Sequence, residues 1–268
     1  MAQTFNLFPG IDGAIVARKW DLPDPRYVVL LCHGYGEHMG RYDHVAARFN
    51  ADGAAVYGQD HRGHGLSGGE RVLMTDAESL VEDFHALSDV VRREYPDVPL
   101  VLVGHSMGGM LAARYVQKHG DELVCAVLSA PVISGGLVRA LLSLDELPTD
   151  PLDATALSRD PAVGEAYVAD PLVYHGSWKR RTLEAWDRLI TDIAGGGRFT
   201  IPVLWMHGTA DPLVNVEETA ATWEELKGPG AASRLYVGAR HEIFNETNKD
   251  EVLNDAVAWV NASLPSAG

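Results

Sequence analysis

A serine with a glycine two residues away on either side, Gly104-His105-Ser106-Met107-Gly108, follows directly on the apolar run Leu100-Val101-Leu102-Val103. A buried strand that ends in a sharp turn and hands over to a helix has this composition. The residue at the apex is held in a strained backbone conformation, and a side chain at either flanking glycine would strike the neighbouring strand or helix. The turn presents the Ser106 hydroxyl at a helix N-terminus. The pentapeptide alone fits an ordinary glycine-rich turn, but a strand precedes it, and Met107 to His119 has helical spacing, with Leu111 and Tyr115 one turn apart. The chemistry implied is nucleophilic attack by a serine, which needs a base to take its proton and an acid to orient that base.

On a strand-turn-helix scaffold of this kind the partners follow in the order Ser, Asp or Glu, His. Of the eleven histidines, only His241 lies beyond the last strand-like run, in a loop able to reach over the strand ends. His207 closes an apolar strand and reads as a satisfied structural histidine. His61 and His64 belong to a glycine-rich loop, and His105 faces the elbow. Asp211, in His207-Gly208-Thr209-Ala210-Asp211-Pro212, sits at the carboxyl end of a strand and is the expected acid. Asp187 and Asp192 are poorer candidates, and Glu242 and Glu246 stand too close to His241 in sequence to orient it. A tetrahedral intermediate also needs donors for its oxyanion. The backbone N–H of Met107 is one, and that of Tyr35, in the loop His33-Gly34-Tyr35-Gly36, is the other.

The elements that must position these groups alternate. Phe5 to Phe8 and Ala14 to Trp20 read as an antiparallel pair joined by a turn from Pro9 to Gly13. Tyr27–Cys32, Ala54–Tyr57, Leu100–Val103, Leu123–Leu128, Val203–Met206 and Leu235–Val237 supply further strands. Helices are expected over 42–50, beyond a capping box at Thr75-Asp76-Ala77-Glu78, and over 107–119, 215–226 and 248–260. Alternation of this sort makes a mostly parallel sheet covered by helices on both faces, with ligands beyond the carboxyl ends of its strands. Residues 133–198 break the pattern. Leu137 to Leu144 is apolar, Thr149-Asp150-Pro151 and Asp160-Pro161 can start helical turns, Thr182 to Ile193 is a helix, and Gly195-Gly196-Gly197 is a flexible join. The expected organisation is a core of 1–132 and 199–268 with a helical cap at 133–198.

The chain has 268 residues and a net charge of −15; such a field repels nucleic acid, and no basic cluster offsets it. The first residues lack a basic start and a long apolar segment, and no run approaches the roughly 18 apolar residues of a membrane span. Cys32 and Cys125 both lie in strand-like apolar runs, which favours buried thiols and a reducing cytoplasm, with a disulfide between adjacent strands left open. No metal-ligand spacing is present, and no cofactor or metal is expected.

Taken together, His33 to Tyr42, Asp60 to Ser67, Gly104 to Gly109, His207 to Asp211 and His241 to Glu246 resemble the monoacylglycerol lipase branch of the α/β-hydrolases, with its lysophospholipases and the serine aminopeptidase S33 group. Within the insertion, Ser158-Arg159-Asp160-Pro161 and Asp170-Pro171-Leu172-Val173 are similar to that branch as well. The resemblance spans nearly the whole chain and is to bacterial members. It implies an α/β-hydrolase fold, an acyl tunnel under the cap, and a polar pocket for glycerol in which Glu37 and Arg41 fix hydroxyls; an internal ion pair that shapes the loop is the alternative for those two. Asp60 and Arg62 are expected to organise their loop. The implied reaction is cleavage of monoacylglycerols to glycerol and fatty acid, with lysophospholipase or general carboxylesterase activity as alternatives and a non-catalytic scaffold as a third. Leu137 to Leu144 would receive the acyl chain and allow transient contact of the cap with membranes or lipid droplets. Dehalogenases and epoxide hydrolases carry an aspartate where Ser106 stands.

Overall fold

The computed structural model describes residues 2–10 and 13–265. In chain order the strands are β1 (Gln3–Gly10), β2 (Gly13–Trp20), β3 (Tyr27–Cys32), β4 (Ala54–Gln59), β5 (Leu100–His105), β6 (Cys125–Ser129), β7 (Val203–Gly208) and β8 (Ala232–Tyr236). The helices are α1 (Asp43–Ala51), α2 (Glu78–Glu94), α3 (Met107–His119), α4 (Gly136–Leu142), α5 (Pro161–Ala169), α6 (Arg180–Gly195), α7 (Val216–Leu226) and α8 (Lys249–Ser263). The strands form one sheet in the order β1-β2-β4-β3-β5-β6-β7-β8. Only the β1–β2 and β2–β4 pairs are antiparallel; the others are parallel. Ile11 and Asp12, in the expected turn between the first two strands, lie outside the described residues.

Period-two alternation explains why the central strands are apolar throughout. Val28, Leu30, Leu100, Leu102, Ala126 and Leu128 face one side, where α2, α3 and α6 pack. Tyr27, Val29, Val101, Val103, Cys125 and Val127 face the other, against α1 and α8. Both sheet faces are therefore covered, and no residue of β3, β5, β6 or β7 reaches water.

Four local expectations need correction. No capping box forms at Thr75. Asp76 accepts the Glu78 N–H (3.1 Å), the Asx-type bond available to a short carboxylate, and α2 starts at Glu78. Thr149-Asp150-Pro151 starts no helix, because Asp153 takes the capping role itself and supports only one turn, Ala154–Ala156; Asp160-Pro161 does open α5. The last strand is shifted toward the polar residues Ser233 and Arg234, as an exposed edge permits, and Val237 is outside it and 87% exposed. Of Gly195-Gly196-Gly197, the first still belongs to α6, so the break is shorter than expected. Cys32 and Cys125 are buried free thiols on strands separated by β5. No helix among the described residues is long and apolar enough to cross a membrane.

Candidate active site

Ser106 sits between β5 and α3 at φ 55°, ψ −117°, a left-handed conformation that few side chains adopt. Hydrogen bonds hold it there: its N–H donates to the Ser129 carbonyl (2.9 Å), and its own carbonyl accepts from Met110 (3.1 Å) and Val132 (3.2 Å). A Cβ on Gly108 would collide with the carbonyl oxygens of Cys32 and His33, and one on Gly104 would lie 2.7 Å from the Ala112 Cβ. Both flanking glycines are thus required by close backbone approach, as the spacing indicated.

Two further loops converge on the hydroxyl. His241 Nε2 lies 2.8 Å from Ser106 Oγ, and His241 Nδ1 lies 2.8 Å from Asp211 Oδ2. Asp211 Oδ1 accepts the N–H groups of Leu213 (2.9 Å) and Val214 (3.0 Å), which fixes the plane of the carboxylate. The loop carrying Asp211 is stitched to the loop carrying His241 by Thr209 N–H to the Tyr236 carbonyl and Ala210 N–H to the Ala239 carbonyl, both 3.0 Å. Glu246, with its side chain fully buried, braces the histidine loop. It accepts from the Arg240 N–H (2.7 Å), the Arg159 N–H (3.1 Å) and the Arg159 guanidinium (2.9 Å). That contact ties the segment Ser158 to Pro161 to the segment His241 to Glu246.

The electrostatics suit a base held beside its acid. Burial opposes the charged form of His241, yet the adjacent Asp211 carboxylate outweighs it and raises the imidazole above its ordinary 6.5. For Asp211 burial acts upward, and the His241 and His207 rings pull the carboxyl far below the usual carboxylate range. His105 is pushed down to about 4 by burial and by its neighbour His241, so it is neutral beside the base.

Tyr35 lines the space in front of Ser106, and Met107 follows the serine as a buried residue at the start of α3. Gly34 donates its N–H to Glu37 Oε1 (2.7 Å), which leaves Tyr35 as the next amide of that loop; neither the Tyr35 nor the Met107 N–H is taken up among the described residues. The Tyr35 ring is stacked on Trp178 (4.7 Å, 8°) and meets Trp186 edge-on (5.3 Å), while Gly36 accepts the Tyr174 N–H (2.7 Å). Tyr174, Trp178 and Trp186 therefore hold the loop that carries this amide.

Glu37 and Arg41 are brought together, with a third member that the sequence reading set aside. Arg41 Nη1 donates to Glu37 Oε2 (2.5 Å) and to Glu242 Oε1 (2.6 Å), and Nη2 donates to Glu242 Oε2 (2.7 Å). Tyr42 OH donates to Glu37 Oε1 (2.7 Å). Burial acts to raise the Glu37 carboxyl, but Arg41 overrides it and the net shift is downward. Glu37 and Glu242 both line the cavity at Ser106, whereas Arg41 lies behind them and lines a smaller adjoining space with Tyr42 and His44. A signal for Glu242 existed, since it immediately follows the histidine, but its long-range partner left no local pattern. Asp60 joins two loops by accepting from Met39 and Leu66 (both 2.8 Å), and Arg62 pairs with Asp83 of α2 (2.8 Å).

The cavity encloses ≈ 740 Å³ including its open mouth. Val132, Leu137, Leu152, Leu157 and Leu213 line it together with the aromatic group, and Glu37, Glu242 and Asp150 add carboxyl side chains. Leu137 is the contribution of the apolar stretch 137–144; Val138 and Leu141 turn into the core and Leu144 is exposed.

The sequence pattern of the family described as serine aminopeptidase, S33, matches residues 23–248. The chain belongs to this family. Within the S33 family and its neighbours, a monoacylglycerol lipase of Mycolicibacterium smegmatis is 38% identical over 270 residues, 96% of either chain. Among solved structures, the monoacylglycerol lipase of Paleococcus ferrophilus superposes with a TM-score of 0.80 at 28% identity, over 93% of this chain and 99% of that one. A thermostable carboxyl esterase from Bacillus coagulans, in complex with glycerol, gives 0.83 at 26%, over 97% and 98%. The fold is accordingly that of the α/β-hydrolases, as the sequence resemblance implied.

Proposed function

We propose that this S33 family member hydrolyses monoacylglycerols to glycerol and free fatty acid through an acyl-serine. The observation that carries the reading is the continuous chain Ser106–His241–Asp211, with 2.8 Å at each link, opening into an apolar cavity that has carboxylates beside the serine. Ser106 Oγ attacks the ester carbonyl as His241 Nε2 takes its proton, and Asp211 holds the Nδ1–H and stabilises the imidazolium. The Tyr35 and Met107 amides receive the oxyanion. The ester C–O bond then breaks, His241 returns the proton to the departing glycerol oxygen, and water, deprotonated by the same ring, releases the fatty acid.

Residues 133–198 act in this reading as a cap over the core of 1–132 and 199–268. Its apolar lining supplies affinity for the acyl chain at about 0.8 kcal/mol per buried methylene. Glu37 and Glu242 accept hydrogen bonds from the glycerol hydroxyls, and Arg41 acts through them by fixing their orientation. Transient contact of the cap with membranes or lipid droplets would bring substrate in, and the acidic surface favours neutral glycerides over anionic lysolipids.

A carboxylesterase reading keeps the same serine chemistry; the likeness to the carboxyl esterase favours it as the second possibility. One experiment separates the two. Purified protein and Ser106→Ala are assayed on a chain-length series of 1-acylglycerols, matched p-nitrophenyl esters and lysophosphatidylcholine. Preference for the acylglycerols, absent in Ser106→Ala, supports the proposal. Turnover of short p-nitrophenyl esters alone assigns a general esterase, and undiminished hydrolysis by Ser106→Ala removes the serine from the mechanism.

A further inference from the structure

We infer that His207 is a positioning residue for the catalytic acid, donating from Nε2 to the same Asp211 oxygen that receives His241. The inference rests on the triad reading above. His207 is the penultimate residue of β7 and is fully buried. Trp205 Nε1 lies 3.1 Å from His207 Nδ1. An indole N–H can only donate, so Nδ1 must be the bare, accepting nitrogen, and the ring carries its proton on Nε2. That nitrogen is 3.1 Å from Asp211 Oδ2 and 3.0 Å from the Val214 carbonyl oxygen, two acceptors that share one N–H. The indole therefore fixes the tautomer.

Asp211 Oδ2 is in this way held by two imidazoles, His241 at 2.8 Å and His207 at 3.1 Å, while Oδ1 is held by two backbone amides. The His207 bond stops the carboxylate from swinging away from His241, and it withdraws charge from the oxygen that His241 uses. Without it, Oδ2 carries more charge toward His241 and its imidazolium persists to higher pH. The other groups facing His241 are His105 at the end of β5 (4.9 Å between ring centres), Glu37, with Arg41 behind it, from the loop after β3, and Glu242 beside it in the chain. None of them touches His207, so a change at position 207 reaches His241 through Asp211.

Asparagine and glutamine separate the two bonds of His207. The asparagine oxygen can stand in for Nδ1 and keep the Trp205 bond while losing Asp211; the glutamine amide can reach the place of Nε2. Steady-state kinetics with p-nitrophenyl butyrate across the acid limb test this. In His207→Asn kcat is expected to fall about tenfold to a hundredfold, the effect of one hydrogen bond to a charged group, with KM little changed. Its acid limb should move up by about half a pH unit or more, and His207→Gln should restore much of both. A folded His207→Asn with kcat within about twofold and an unmoved limb overturns the inference. On the wild type, ¹⁵N-histidine NMR should find the His207 proton on Nε2; a proton on Nδ1 instead also overturns it. Labelling of the wild type by a fluorophosphonate is the separate control. Labelled protein whose His207 behaves otherwise removes only this inference, whereas unlabelled folded protein removes the triad reading beneath it.

Discussion

His241 Nε2 stands 2.8 Å from Ser106 Oγ although 135 positions separate the two residues in the chain. The distance is set by the backbone: β5 ends at the serine, and the loop beyond β8 folds back over the strand ends. Asp211→Asn keeps the shape of the acid but places an amide donor where His241 Nδ1–H needs an acceptor, which forces the wrong tautomer. We expect kcat to drop about 10⁴-fold with the fold retained. Loss of less than about tenfold, in protein whose circular dichroism matches the wild type, would remove Asp211 from the mechanism.

The base must be neutral to take the serine proton, so activity rises with pH as His241 loses its own. Because Asp211 raises that imidazole above 6.5, the acid limb of kcat/KM belongs above the ordinary histidine value. In Asp211→Asn the residual activity should show its limb displaced to lower pH, since the raising charge is gone. A wild-type limb below the ordinary histidine range would contradict this.

Gly108 tests packing against helix propensity. In α3, alanine is the better helix former by up to about 1 kcal/mol. Its Cβ would, however, strike the Cys32 and His33 carbonyl oxygens, which are backbone and cannot swing aside. Overpacking of this kind costs about 1–3 kcal/mol, so Gly108→Ala should lower Tm and activity together. A more stable, fully active variant by calorimetry and ester assay would show that the turn has room.

Arg41 lies between two buried carboxylates, Glu37 and Glu242, whose side chains are only 4% and 5% exposed. Arg41→Ala leaves both uncompensated and should destabilise the fold by about 3–5 kcal/mol near neutral pH. The pH slopes distinguish this from lost packing. In the wild type Glu37 is depressed, so its contribution is present above the unfolded carboxyl value and fades as pH falls through the folded one. In the variant the opposing charge of Arg41 is gone while burial remains, so the folded Glu37 carboxyl shifts upward and part of the penalty is relieved on acidification. Urea midpoints of variant and wild type should therefore converge as pH falls; a constant difference would assign Arg41 a packing role only.

Local chemistry in the chain determined the elbow, the alternation of strands and helices, and the order serine, aspartate, histidine. A strand ending in Gly104 to Gly108 can turn in only one way without collision, and a residue at a strand's carboxyl end emerges on the edge where ligands bind. Those constraints, with the order expected of this scaffold, single out His241 and Asp211 as the candidates that the proposed mechanism uses. What the tertiary structure alone decided is which distant side chains share an atom. His207 reads in sequence as a satisfied strand-end histidine, and it is satisfied, but one of its partners is Asp211. Glu242 reads as too close to His241 in sequence to orient it, and its partner is instead Arg41, 201 positions away. Such partnerships leave no periodic trace, because they depend on side-chain rotation and on which loops the sheet brings face to face.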